Sequence, residues 1–319
     1  MAPRYDRLGR SLEETIRNAV SGKNVGVAFS GGLDSGLVAA IASRYAKSVT
    51  CYTCGTNDAF DVEAGKELSE KLGLPWVHCR IGEDNIEGLI RELICATGVS
   101  DPFTISYELQ LFTVCRTAEE SIILTGQGSD EYFGGCARSV NDNDEEYEAV
   151  LNWGIERLNK VSIPCELSIA KHYKKRLVYP YLDTEVIDSV KDIDPEELRP
   201  TTLENRKMVL KTVASDLGFP ILAHRIKKAS QYGSCTTELI RSSAKSKGMR
   251  YNRYISDIYE SLGLRNANLL RDAAVDVRMD PIIIYDAEMI LNNLGMTHSE
   301  AIARFYTKMI REGNLDFLD

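Results

Sequence analysis

The stretch VAFSGGLDSG, residues 27–36, has the residue types of an anion-binding loop. An apolar run ends in a Ser-Gly-Gly turn, and a helical pattern follows directly. Backbone N–H groups of such a turn, together with the positive end of a helix dipole, attract phosphate oxygens. Glycine lets these oxygens approach the chain closely. The residues predicted to hold a nucleotide here are Ser30, Gly31, Gly32, Leu33, Asp34 and Ser35.

The loop lacks the Gly-Lys-Ser/Thr ending of a Walker loop, which argues against transfer of a γ-phosphoryl group. It is better suited to hold the β- and γ-phosphates as a leaving pyrophosphate while a substrate attacks the α-phosphorus. Asp34 is predicted to hold Mg²⁺ beside these phosphates, because this hard cation prefers oxygen ligands.

A second stretch, LTGQGSDEYFGG at 124–135, repeats the pattern of a strand end, glycines and an acid. Gly126 and Gly128 are predicted to belong to the nucleotide site. Asp130 is predicted as the second Mg²⁺ ligand, opposite Asp34, because two carboxylates suit a cation that bridges phosphates. The neighbouring Glu131 is better explained as a cap or an ion-pair partner.

The two glycine loops must be positioned by the strands that precede them. Strand patterns are present at 25–29, 48–54, 75–81 and 121–126, and helical patterns at 36–46, 62–72, 86–96 and 106–119. This alternation predicts an α/β fold with a doubly wound parallel sheet, followed by a mostly helical part over 150–248. Since ligands bind beyond the carboxyl ends of parallel strands, the two loops are expected to face one cleft.

The first loop resembles that of the PP-loop ATP pyrophosphatases, which have an adenine nucleotide α-hydrolase-like fold. The second resembles the signature of asparagine synthetases and β-lactam synthetase. Three later segments resemble, in order, the pocket-closing turn, the lysine-bearing helix and the mobile loop of these enzymes: LVYPYLDTEVID (177–188), NRKMVLKTVASDL (205–217) and HRIKKASQYG (224–233). The resemblance covers about 20–240. It implies that ATP, with Mg²⁺, adenylates a substrate carboxylate, which an amine then attacks to give an amide and AMP.

The resemblance also implies catalytic residues. By position, Lys227 matches the essential lysine of the mobile loop, and Arg225 is expected to assist it. Gln127 differs from the family pattern, because asparagine synthetases carry Glu at this position of the second loop and β-lactam synthetase carries Tyr. A neutral amide cannot act as a base at pH 7, but it can orient a substrate. Lys207 and Lys211 match the two basic residues of the lysine-bearing helix.

The nitrogen source stays open. The glutaminase half of asparagine synthetase B begins with a catalytic cysteine after the initiator Met, whereas Met1 here is followed by Ala2. We therefore expect no glutamine hydrolysis in this chain. The expected small-molecule partners are a carboxylate together with free ammonia or an amine, and a separate amidotransferase is the alternative supplier.

The segment 272–319 has a pattern of its own. Val275, Val277 and Met279 alternate with polar residues, and two amphipathic helical patterns follow. This resembles the ribbon-helix-helix fold of RelB/DinJ-type antitoxins, which implies a homodimer through 273–319. Four Lys/Arg against nine Asp/Glu in the segment disfavour DNA binding. The predicted division is a synthetase-like domain at 1–250, a linker at 251–271 and the ribbon-helix-helix segment at 272–319.

Composition limits the class of protein. A net charge of −9 argues against a general nucleic-acid surface. No apolar run approaches the length of a membrane span, and the N-terminus lacks the apolar core of a secretion signal, so we expect a cytoplasmic protein without a membrane partner.

Two alternative functions remain from the sequence. One is an RNA-modifying PP-loop enzyme, for which Cys51 or Cys54 would have to carry sulfur, although structural thiols explain these residues better. The other is a nucleotide-responsive regulator in which the antitoxin-like tail binds DNA.

Overall fold

The structure is a computed structural model that describes residues 4–135, 144–225 and 230–263, together with the positions 287, 291, 301, 302 and 305. The chain divides into two compact units, Met1–Ala267 and Asn268–Asp319. The strand and helices predicted within 272–319 lie outside the described residues apart from those five positions. The ribbon-helix-helix segment and its dimer therefore stay predictions.

The first unit contains every strand and helix described below. The strands are β1 Asn24–Ala28, β2 Ser48–Gly55, β3 Trp76–Arg80, β4 Ile122–Leu124 and β5 Arg176–Val178. The helices are α1 Asp6–Val20, α2 Leu33–Ala42, α3 Phe60–Leu72, α4 Ile86–Thr97, α5 Pro102–Thr117, α6 Ser129–Tyr132, α7 Asp144–Arg157, α8 Ile163–His172, α9 Thr184–Val190, α10 Pro195–Leu198, α11 Met208–Asp216, α12 Ser230–Gly233, α13 Thr236–Ser246 and α14 Tyr251–Ser261.

The five strands form one parallel sheet in the order β3-β2-β1-β4-β5. The predicted parallel α/β sheet and its four predicted strands are thus confirmed. The fifth strand, β5, is not predicted by the sequence, because its three residues include an exposed arginine and give no apolar run, unlike the equally short but fully buried β4. The strand order reverses between β1 and β4, and Val27 pairs with Leu124 across that point. Open α/β sheets bind ligands at such a reversal.

Helices cover both faces of the sheet. On one face, Val25 and Val27 of β1 are fully buried in a core shared with α1, α2 and α11. Helix α2 is buried at all ten of its residues, which explains why its sequence is apolar all round rather than amphipathic. On the other face, α5 packs on β2 and β3, and α4, α8 and α13 pack on α5.

Residues 251–261, where the sequence predicts a linker, form helix α14 of the first unit. Tyr254, Ile255, Ile258 and Tyr259 of this helix are buried, and it packs on α4, α5 and α13. Among the helices that the structure describes, none combines the length and apolar character needed to cross a bilayer.

Candidate active site

The loop after β1 is held in shape by its own hydroxyls. The Ser30 amide donates a hydrogen bond to Ser35 Oγ at 3.1 Å, and the Gly32 amide lies 3.4 Å from Ser30 Oγ. Gly31 has a φ of +73°, and a Cβ at this position would lie 2.3 Å from the backbone of Ala64 in α3. Only glycine fits here, because any side chain would collide with a backbone that cannot move aside.

The loop after β4 packs directly on the first loop. A Cβ on Gly126 would lie 3.2 Å from both Asp34 Cβ and Ser35 N. Gly128 has a φ of +90°, and a Cβ there would lie 2.2 Å from the Leu182 side chain in the YPYLD turn. The same turn approaches the first loop, since Tyr181 donates to the Asp34 carbonyl at 3.0 Å. Three segments distant in sequence therefore meet at the point where the strand order reverses.

A buried lysine joins the acids of the two loops. Lys207 Nζ lies 2.6 Å from Asp34 Oδ1 and 2.6 Å from Asp130 Oδ1, and it donates to Ser129 Oγ at 2.9 Å. Lys207 is 5% exposed. Its backbone is left-handed, with a φ of +57°, at the position that precedes α11. Strained backbone of this kind is typical of functional sites.

The two carboxylates are suited to share a magnesium ion with phosphates. Mg²⁺ is commonly held by one or two carboxylates, with phosphate oxygens and water completing its shell. Asp34 and Asp130 supply such a pair, and they already converge on one cation. No group of three or more His, Cys, Asp or Glu side chains among the described residues could hold a metal ion. A metal here would therefore depend on the phosphates.

Arg225 contacts the first loop and helix α3. Its guanidinium donates to the Gly31 carbonyl at 2.9 Å and to the Ala64 carbonyl at 3.1 Å, and it pairs with Glu67 at 3.1 Å. These contacts fix the first loop against α3. The geometry therefore favours a positioning role for Arg225 over the catalytic one that its sequence position predicts.

Gln127 is oriented by a half-buried tyrosine. Tyr107 donates to Gln127 Oε1 at 2.7 Å. Burial and four nearby acids raise the pKa of Tyr107 well above its usual range, so this hydroxyl stays protonated and keeps donating. The Gln127 amide is thereby held with its carbonyl toward Tyr107. This geometry is compatible with the orienting role predicted from the sequence.

One open cleft contains both loops and a second group of acids. It has about 910 Å³ of space between its walls, part of it open to solvent. The lining includes the loop residues together with Asp61, Tyr107, Glu108 and Glu166. Glu108 of α5 and Glu166 of α8 are 1% and 3% exposed. The described lining thus contains buried acids but no lysine, arginine or histidine.

Both cysteines of the C-x-x-C motif are buried in β2. Burial raises the pKa of the Cys51 thiol to about 12 and raises that of Cys54 further still. A sulfur carrier must form a thiolate near neutral pH. Although Cys54 lines the cleft, both thiols stay protonated there, which argues against the RNA-thiolating alternative.

The sequence missed three parts of this site. Lys207 is only one of two matching lysines in the sequence pattern, yet it is the one that joins the loops. Tyr107 and Glu108 belong to a helix without any motif, and their only signal is polarity on a face that should be buried. The predicted catalytic Lys227 lies outside the described residues.

The neighbouring strands β1 and β4 of the parallel sheet both end in a glycine loop that carries an acid. This arrangement defines a nucleotide-binding domain of the PP-loop type. Residues 7–162 match the family model described as asparagine synthase. The resemblance to asparagine synthases inferred from the motifs is therefore confirmed over this part of the chain, which is just under half of its 319 residues.

Individual relatives agree with that assignment. A Methanocaldococcus jannaschii protein named as a glutamine-hydrolyzing asparagine synthetase is 28% identical in an alignment 285 positions long, which covers 77% of this chain and 52% of that protein. The asparagine synthetase of Brassica oleracea is 28% identical in an alignment 233 positions long, which covers 67% of this chain and 39% of that protein. The chain thus spans about half or less of the length of these relatives.

Among solved structures, NMN synthetase from Francisella tularensis aligns with 86% of this chain and 97% of its own. The identity is 12% and the TM-score is 0.37, which is too low to support a functional comparison.

Proposed function

We propose that this protein is an ATP-dependent, AMP-forming amide ligase. It adenylates the carboxylate of a small molecule, and ammonia or an amine then attacks the adenylate. The match to the asparagine synthase family supports ATP-dependent ligase chemistry. The family's glutamine hydrolysis is not part of the proposal.

The observation that carries the proposal is the convergence of Asp34, Asp130 and Lys207. An adenylating enzyme must hold pyrophosphate as a leaving group, and its developing charge needs cations close by. Lys207 is a buried cation at the meeting point of two glycine loops, whose N–H groups can cradle phosphate oxygens. A site for γ-phosphoryl transfer would instead carry its lysine within the first loop.

Each residue of the site has a separate role in this proposal. Asp34 and Asp130 hold Mg²⁺, which when bound neutralises charge on the phosphates. Ser30, Ser35 and the loop amides orient the β- and γ-phosphates. Lys207 binds the departing pyrophosphate, Arg225 keeps the first loop in place, and Lys227 adds a second cation over the α-phosphate.

The test is ATP–pyrophosphate exchange with a panel of carboxylic acids that includes aspartate, each with and without ammonium. We expect exchange that depends on one class of acid and is lost in Lys207→Ala. Lys211→Ala, which changes the lysine one turn further along the chain, within α11 and outside the cleft lining, is the matched control. If no acid supports exchange while the protein binds ATP, the ligase proposal is wrong and the nucleotide-responsive regulator becomes the better explanation. A gel shift with operator-like DNA, with and without ATP, would then test that alternative.

A further inference from the structure

Two carboxyl groups that line the cleft, those of Glu108 and Glu166, lie outside the two glycine loops. Neither carboxylate oxygen of Glu108 has a hydrogen-bond partner among the described residues, and the same is true of Glu166 Oε2. Both residues line the cleft, and both are almost completely buried. A buried polar group without a partner is rare in folded proteins, because it forfeits its hydration without compensation.

The surroundings of this pair are negative. Arg157 of α7 lies close enough to lower the pKa of Glu108, but its guanidinium donates to Ser162 and Thr104 instead. Glu131 faces Glu166 from α6, and its charge disfavours ionisation of Glu166.

Three neutral hydroxyls complete the surroundings, those of Tyr107 from α5, Tyr179 from the turn after β5 and Ser162 just before α8. Ser162 acts to lower the pKa of Glu108 and Tyr179 that of Glu166, but burial acts more strongly in the opposite direction. No described group fully offsets the two carboxylates. Burial accordingly raises the pKa of Glu166 to about 8 and that of Glu108 well above its usual range.

We propose that Glu108 and Glu166 bind the ammonium group of an aliphatic primary amine, which is the acceptor substrate of this enzyme. Before attack, one N–H proton of the ammonium passes to a carboxylate of the pair, because only the neutral amine is a nucleophile; the nitrogen loses a second proton as the amide forms and AMP leaves. An alkylammonium ion has three N–H donors and one positive charge, which are what two unpartnered carboxylates lack. The place of this amine in the reaction rests on the proposed ligase function, whereas its binding does not.

The same chemistry disfavours aspartate as the acyl substrate. After one carboxylate of aspartate is adenylated, the other still needs a cation or several donors. The described lining of the cleft has no cation, and Lys207 is engaged with the two loop acids. Glu108 and Glu166 carry no positive charge in either protonation state, so they offer nothing to bind a second anion, whereas in their ionised form they attract a cationic amine.

The test measures binding of n-butylamine and 1,4-diaminobutane to the full chain at pH 7 by isothermal titration calorimetry. The neutral probe is 1-butanol, which has the same length but no charge. We expect both amines to bind and 1-butanol not to bind. Glu108→Gln and Glu166→Gln should each weaken amine binding at least tenfold. Glu119→Gln, which removes an exposed carboxylate just beyond α5, should change it less than twofold.

The number of protons released when an amine binds is a second, independent measurement. Since Glu166 is mainly protonated at pH 7 in the empty cleft, binding an ammonium ion should ionise it and release up to one proton. The observed heat should therefore differ between phosphate and Tris buffers. Glu166→Gln should remove that difference while the far-UV circular dichroism spectrum stays unchanged.

The inference is wrong if the amines bind the wild type and both Gln variants equally, or if 1-butanol binds as tightly as butylamine. ATP–pyrophosphate exchange without amine reports the ligase function separately. Loss of exchange with intact amine binding would overturn the ligase proposal alone. If ATP–pyrophosphate exchange is observed, but Glu108→Gln and Glu166→Gln bind the amines as tightly as the wild type does, this inference alone is wrong.

Discussion

Replacing Lys207 with methionine should destabilise the first unit by about 3 kcal/mol. Methionine fills similar space without charge, so the change removes the cation shared by Asp34 and Asp130. Losing one partner of a buried ion pair costs about 3–5 kcal/mol, because the other charge stays buried. The Asp34 side chain is 9% exposed and keeps this penalty, whereas the Asp130 side chain is 42% exposed and regains water. We therefore expect the lower end of the range.

For a domain of this size, that loss lowers the Tm by about 6–12 °C. Urea and thermal unfolding followed by circular dichroism would measure it. Lys211→Met, one turn further along the chain in α11, is the control, with an expected change of about 0.5 kcal/mol or less.

Magnesium provides the sharper test of the same idea. With Lys207 absent, two carboxylates remain without a shared cation, so Mg²⁺ added together with ATP should bind the folded state and raise the Tm of the variant more than that of the wild type. A loss below about 1 kcal/mol would refute the view that Lys207 joins the two loops. Equal Mg²⁺ effects on wild type and variant would refute the shared cation site.

Four further predictions follow from the site and the sequence. Asp34→Asn and Asp130→Asn should each raise the Mg²⁺ concentration needed for ATP–pyrophosphate exchange, and a response in only one of them would show that the loops do not share an ion. Lys227→Ala should leave ATP binding nearly unchanged but slow adenylation by about 100-fold or more in single-turnover assays; undiminished activity would remove Lys227 from the mechanism. Because the pKa of Glu166 is raised to about 8, the wild type should lose stability as pH rises from about 5 to about 8, and Glu166→Gln should show a shallower decline in urea unfolding. Truncation after residue 270 should convert a dimer into a monomer in light scattering, and a full-length monomer would contradict the predicted dimer.

The sequence by itself determined the sheet and the two glycine loops. A short apolar run that ends in Ser-Gly-Gly has few structural solutions, since a glycine at position 31 must adopt a positive φ where other residues are strained. Hydrophobic runs also located β1 and β4, because strands buried on both faces are largely apolar, and the shorter apolar stretches of β2 and β3 were enough to locate these strands. These features are local, so neighbouring residues are enough to predict them.

Only the tertiary structure decided which side chains meet. Asp34, Asp130 and Lys207 lie on three separate elements, and no spacing in the sequence reveals that one lysine contacts both acids. Arg225 illustrates the same limit, since its position predicts catalysis while its contacts fix a loop. The partnerless state of Glu108 likewise depends on what packs around α5. Charge pairing and burial are properties of three-dimensional neighbours, and the folded chain brings these together from distant parts of the sequence.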